Sequence, residues 1–136
     1  MANLVQGSNA EISSRTYSMT DNAFIDLFKV DLPTSNTSCC VIIMADYNVS
    51  DGVNAGQHAG MYVWSFCNNA GTVTGQGVDF AEATSGTGAG AGIDTEQVSV
   101  AGTTATAQIR FNTPLNVAGS FSYKILFSTA LALTRL

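Results

Sequence analysis

From Phe24 onward, apolar residues recur at every second position, and no stretch shows the three- and four-residue spacing of an amphipathic helix. A period of two sends successive side chains to opposite faces of an extended backbone, so these segments are expected to be strands with one face on a core. Phe24, Asp26, Phe28, Val30 and Leu32 alternate with Ile25, Leu27, Lys29 and Asp31, and Pro33 closes the run. Cys40–Ala45 is almost continuously apolar, which predicts a strand covered on both faces. Met61, Val63 and Ser65 share one face, and Tyr62, Trp64 and Phe66 share the other. Ala105, Ala107, Ile109 and Phe111 turn one way while Thr104, Thr106, Gln108 and Arg110 turn the other. Phe121, Tyr123, Ile125 and Phe127 give the clearest amphipathic strand.

Turn chemistry separates these runs. Asp51-Gly52, Asn54-Ala55-Gly56, Asn68-Asn69-Ala70-Gly71, Gly102 and Pro114 mark connections, and residues 83–92 are small enough to predict a glycine-rich surface loop. About seven or eight strands separated by such turns predict an all-β fold, an antiparallel β-sandwich of jelly-roll-like type. The polar, aperiodic stretch 1–22 is expected to be an extended N-terminal arm, pinned to its own sheet or to a neighbour, with residues 23–136 forming one sandwich domain.

Charge narrows the possible partners. Only 11% of the residues are charged, against about 25% in an ordinary domain. The surface is therefore built largely from Thr, Ser, Asn, Gln, Ala and Gly, and other protein can cover it without stripping many ions of water. A net charge of −5 and five scattered basic residues (Arg15, Lys29, Arg110, Lys124 and Arg135) argue against nucleic-acid and anionic-membrane partners. The N-terminus lacks a signal-peptide pattern and Ala130–Leu133 is too short to span a bilayer, so a soluble, non-secreted product is expected.

Few residues suggest chemistry. His58 is the only histidine. A dyad with Cys67 is formally available, but a surface or loop-packing histidine is the expected role. Asp46–Gly52 places oxygen ligands at alternate positions, yet its glycine falls one residue late and Gln57 stands where a calcium loop needs a bidentate Glu. Gly86, Gly88, Gly90 and Gly92 lack the following helix and lysine of a phosphate loop. Tyr62, Trp64 and Phe66 suit a core or an interface better than a sugar-stacking platform. Cys39 and Cys40 are adjacent and point to opposite faces, so small buried thiols are expected, with a bridge from Cys67 to either as the remaining option. No catalytic, cofactor-binding or metal residues are assigned, and an enzyme is not expected.

The arm 1–22, Leu27-Phe28-Lys29-Val30, Ala45-Asp46-Tyr47 through Gly60 into Met61-Tyr62-Val63-Trp64, Phe66–Val73 and Phe121–Phe127 together carry a resemblance. The chain resembles the small β-sandwich decoration, or cement, proteins of tailed bacteriophages. The resemblance implies a homotrimer, made in the host cytoplasm, that sits on the outer surface of the virion capsid and binds the major capsid protein at capsomer junctions. The alternative is a receptor- or glycan-binding module of a tail fibre or spike.

Overall fold

The computed structural model describes residues 3–4, 12–18, 23–86, 92–112 and 118–136. The strands are β1 (Asn3–Leu4), β2 (Ile12–Ser18), β3 (Ala23–Asp31), β4 (Thr37–Ser50), β5 (Ala55–Asn69), β6 (Thr72–Gly86), β7 (Gly92–Ala101), β8 (Thr104–Asn112), β9 (Ala118–Ser128) and β10 (Leu133–Arg135). They form two antiparallel sheets, as the alternation requires. The larger runs β1-β9-β4-β5-β6, with β2 also paired to β9, and the smaller runs β10-β3-β8-β7. β4, β5 and β6 form a meander, and β9 returns from the far end of the sequence to lie beside β4, a Greek-key order.

Local chemistry sets the long hairpins. Between β5 and β6, Ala70 and Gly71 have φ of 51° and 91°, a two-residue turn whose twist matches that of the flanking strands. Asn68 holds this corner from inside: its Nδ2 donates to the Leu32 carbonyl at 2.7 Å and its Oδ1 accepts from Gly71 N–H at 2.9 Å. A buried amide is thereby satisfied at both ends. At the β4–β5 turn, Asp51 Oδ1 accepts from the N–H groups of Val53 and Asn54 at 2.8 and 2.6 Å, which holds its carboxyl below the usual range.

The core lies between the sheets. Trp64, Tyr47, Tyr62, Phe66 and Phe121 point inward from the larger sheet and are at most 1% exposed. Phe28, Ile109, Ala105 and Ala107 meet them from the smaller one. Phe28 packs edge-on against Trp64 and Phe66, with ring centres 5.7 and 6.3 Å apart. Two hydrogen bonds tie sheet to sheet through the core, from Trp64 Nε1 to the Gln97 carbonyl at 3.3 Å and from the Tyr123 hydroxyl to the Leu27 carbonyl at 2.5 Å.

Several expectations need correction. A bulge between Asp26 and Phe28 inserts one residue into β3, so Leu27 and Phe28 are both buried and Phe24 faces outward beneath the Arg110 guanidinium. A second register shift in β9 turns Phe127 to the outer face, opposite Ile42. β4 is covered on its inner face only, since Met44 is 51% exposed. Residues 83–86 continue β6 instead of opening the expected loop, and 87–91 lie outside the described residues. Of the stretch read as an arm, Asn3–Leu4 and Ile12–Ser18 pair with β9 of the chain's own sheet, and the rest of 1–22 lies outside the described residues.

Trp64 fits because β6 carries glycine beside it. A Cβ at Gly77 would overlap the indole Nε1 and lie 2.8 Å from Glu96 Cβ. Gly77→Ala is therefore expected to cost about 1–3 kcal/mol by overpacking, and much of that cost should vanish in the Trp64→Phe background. Urea unfolding of both single variants and the double variant measures the coupling. Additive costs would show that the two positions do not compete for the same space.

Candidate binding surface

The strand registers fix what the larger sheet presents on its outer face. Reading across β9, β4, β5 and β6, one row is Phe127–Ile42–Val63–Val78. The next outward row is Lys124–Met44–Met61–Ala81, followed by Ser122–Asp46–Ala59–Ala83 and then Ser120–Asn48–Gln57–Ser85. The face thus grades from apolar to polar along the strands. Ile42, Met61, Val63 and Phe127 are half-buried, and Met44 and Val78 are exposed at 51% and 44%. Lys124 and Asp46 are the charges in these four rows, and the Ser122 hydroxyl donates to Asp46.

At the polar end the surface sinks into a depression of about 520 Å³. The Ser120–Asn48–Gln57–Ser85 row forms one side, and Ser50 with Ala55 lies beyond it. Between them the floor is the backbone of the row Gly119–Val49–Gly56–Gly86, which turns its side-chain positions, the buried Val49 among them, to the core face. Gly86 has φ of 107°, and a Cβ there would overlap the Ala55 carbonyl, so backbone conformation and space both demand glycine.

Beneath this face lies a buried polar cluster. His58, expected at a surface or loop, points into the core from the middle of a strand and is 2% exposed. Its ring stacks on Tyr47 with centres 5.4 Å apart. Its Nε2 is 2.9 Å from the Tyr62 hydroxyl and 3.3 Å from Glu82 Oε1, and Tyr62 donates to the same carboxylate oxygen at 2.9 Å. Tyr62 has one proton and gives it to Glu82, so contact with the ring requires the imidazole proton on Nε2. Nδ1, which has no hydrogen-bond partner among the described residues, is then the bare nitrogen. Gly60 makes this geometry possible, because a Cβ there would collide with the Tyr62 phenol.

Burial first, and then the hydrogen bond to Glu82, push the Tyr62 hydroxyl far above its ordinary value of 10.0, and burial with the Glu82 charge does the same to Tyr47. Both phenols are held neutral, the opposite of an activated nucleophile. The cluster braces the polar end of the sandwich.

The other sequence candidates do not converge on it. Cys67 faces outward from β5, its Sγ 3.2 Å from the Thr74 hydroxyl, while His58 faces inward nine residues down the same strand, roughly 30 Å away. All three thiols are free, and burial with the neighbouring Cys40 pushes Cys39 up to about 11. Asp46, Asn48 and Ser50 lie along an extended strand, so they cannot wrap around one ion. Tyr62, Trp64 and Phe66 are core residues, as expected. Gly88 and Gly90 lie outside the described residues. The depression escaped sequence reading because its residues come together only through the register of four strands.

No family model matches the chain, and no curated protein does. Among solved structures, the Acinetobacter phage vB_ApiP_P1 tailspike protein covers 98% of the chain with a TM-score of 0.50 at 11% identity. The shared property is the fold. The Acinetobacter baumannii phage AM24 tailspike covers 93% at TM-score 0.44 and 9% identity. The tailspike gp49 of Acinetobacter baumannii phage Fri1, a capsular polysaccharide depolymerase, covers 99% at TM-score 0.43 and 15% identity. The chain spans 28%, 24% and 21% of the AM24, vB_ApiP_P1 and Fri1 tailspikes respectively.

Tyr62 and Tyr47 carry a pH dependence. An unfolded chain releases these protons near pH 10, whereas the folded chain retains them. Their contribution is complete below about pH 10 and is lost above it, at about 1.4 kcal/mol per pH unit for each tyrosine. Urea unfolding between about pH 9 and about pH 11 should show this decline, shallower by one tyrosine in Tyr62→Phe. An identical slope in the variant would mean that Tyr62 ionises in the folded protein.

Proposed function

We propose that the chain is a binding module of a bacteriophage tail spike or fibre, without catalytic activity of its own. The observation that carries this reading is the fold shared over 98% of the chain with the vB_ApiP_P1 tailspike. The outer face of the larger sheet supports it. Its apolar rows place Ile42, Met44, Val63 and Val78 side by side across neighbouring strands, a patch that water leaves unsatisfied and that neighbouring protein can cover. A surface with only 11% charged residues lowers the desolvation cost of that contact.

The resemblance to capsid decoration proteins supplies a second place in the particle for the same surface, and location separates the two. Heads and tails of phage particles carrying this chain, separated and analysed by mass spectrometry, are expected to show it with the tails. Recovery with heads would replace the spike reading by the decoration reading, and absence from both would end both. Met44→Asp combined with Val78→Asp should leave stability within about 1 kcal/mol, because both side chains are exposed. The same pair should abolish incorporation into particles.

A further inference from the structure

We propose that the depression at the polar end of the larger sheet binds a neutral saccharide through the row Ser120–Asn48–Gln57–Ser85. The choice of ligand class rests on the spike reading, and the site itself rests on geometry. Four uncharged polar side chains stand in register across β9, β4, β5 and β6. Three interstrand spacings make the row roughly 14 Å long, room for a short oligosaccharide.

Each of these groups can both donate and accept: the amides through NH₂ and C=O, the serines through their hydroxyls. A sugar hydroxyl has the same dual character, so either orientation of each pair is productive. None of the four makes a side-chain hydrogen bond among the described residues. Other long polar side chains are tied to one another. Gln97 donates to Gln108 at 2.9 Å, Gln108 to Asp26 at 2.6 Å, and Asn54 to Asp51 at 3.2 Å. Asn48 and Gln57 are left to solvent at a concave place.

The lining excludes the competing chemistries. Among the described residues it contains no Lys or Arg to neutralise a phosphate or uronate, and no Asp or Glu to hold a cation. Its apolar side chains are Val49 and Ala55, too few for a lipid or an apolar cofactor. Among the described residues no aromatic side chain lines the depression, so binding rests on hydrogen bonds and is expected to be weak, with Kd on the order of 1 mM.

Amide NMR of the full chain tests the site, titrated separately with neutral oligomers of hexose, N-acetylhexosamine and deoxyhexose, and with a polyuronate of similar length. At least one neutral oligomer is expected to shift the amides of Asn48, Gly56, Gln57, Ser85 and Ser120 in a saturable way, with the polyuronate leaving them in place. Asn48→Ala and Gln57→Ala should each weaken binding about fivefold, and Val100→Ala, exposed on the smaller sheet, should leave it unchanged. Shifts confined to other strands, equal binding of the polyuronate, or no saturable shift with any neutral oligomer would overturn the proposal. Location in the particle is read independently, so a tail-borne chain that binds no sugar refutes this site alone, and a head-borne chain refutes the spike reading alone.

Discussion

Two sheets packed face to face leave a core about 10 Å thick, and among the described residues most of the aromatic rings that fill it come from one of them. Tyr47, Tyr62, Trp64, Phe66 and Phe121 all point inward from the larger sheet. The smaller sheet answers with the small Ala105 and Ala107 of β8, with the aliphatic Ile25, Leu27, Val30 and Ile109, and with the ring of Phe28 set edge-on against Trp64 and Phe66. This large-against-small complementarity fixes the register of both sheets. A one-residue slip in β4 would send Tyr47 to the outside, and one in β5 would do the same to Tyr62, Trp64 and Phe66. The outer face is therefore determined by the core: once Tyr62 and Trp64 face in, Met61 and Val63 must face out.

The same rigidity explains how polar groups survive inside. His58, Tyr62 and Glu82 share their protons around one carboxylate oxygen, and Asn68 satisfies a loop carbonyl and a turn amide together. Most of these buried groups have partners that other strands hold in place, which offsets much of their desolvation cost, and His58 Nδ1 is left as a bare acceptor. These clusters lie at opposite ends of β5, and each fixes the strand end nearest it.

Strand existence and most facing directions were legible in the alternation of β5, β8 and β9. The failures cluster where the period breaks. The bulge at Asp26/Phe28 buries two consecutive residues, Leu27 and Phe28, which a strict period of two forbids. The shift near Leu126 turns Phe127 outward by the same mechanism. A bulge depends on how many residues the partner strand offers opposite it, and one strand's sequence does not carry that count. His58 read as a loop residue because glycines flank it at 56 and 60, yet it sits in a strand, where Gly60 makes room for the Tyr62 phenol. The Ser120–Asn48–Gln57–Ser85 row joins residues up to 72 positions apart, a juxtaposition that exists only once β9 has returned beside β4.

The outer face divides its chemistry by row and not by strand. Six residues of β4, roughly 20 Å, separate Ile42 in the apolar row from Asn48 in the polar one. Covering the apolar rows removes hydrocarbon from water and is favourable wherever a complementary surface exists. Covering the polar row is nearly neutral, because each amide must exchange a water for a partner of equal quality. A single flat partner therefore gains most by seating over Ile42, Met44, Val63 and Val78, and gains little by extending to Asn48 and Gln57. On the proposed reading, that asymmetry would leave the depression open to solvent with the rest of the face occupied, so that the two proposed contacts do not compete for one sheet.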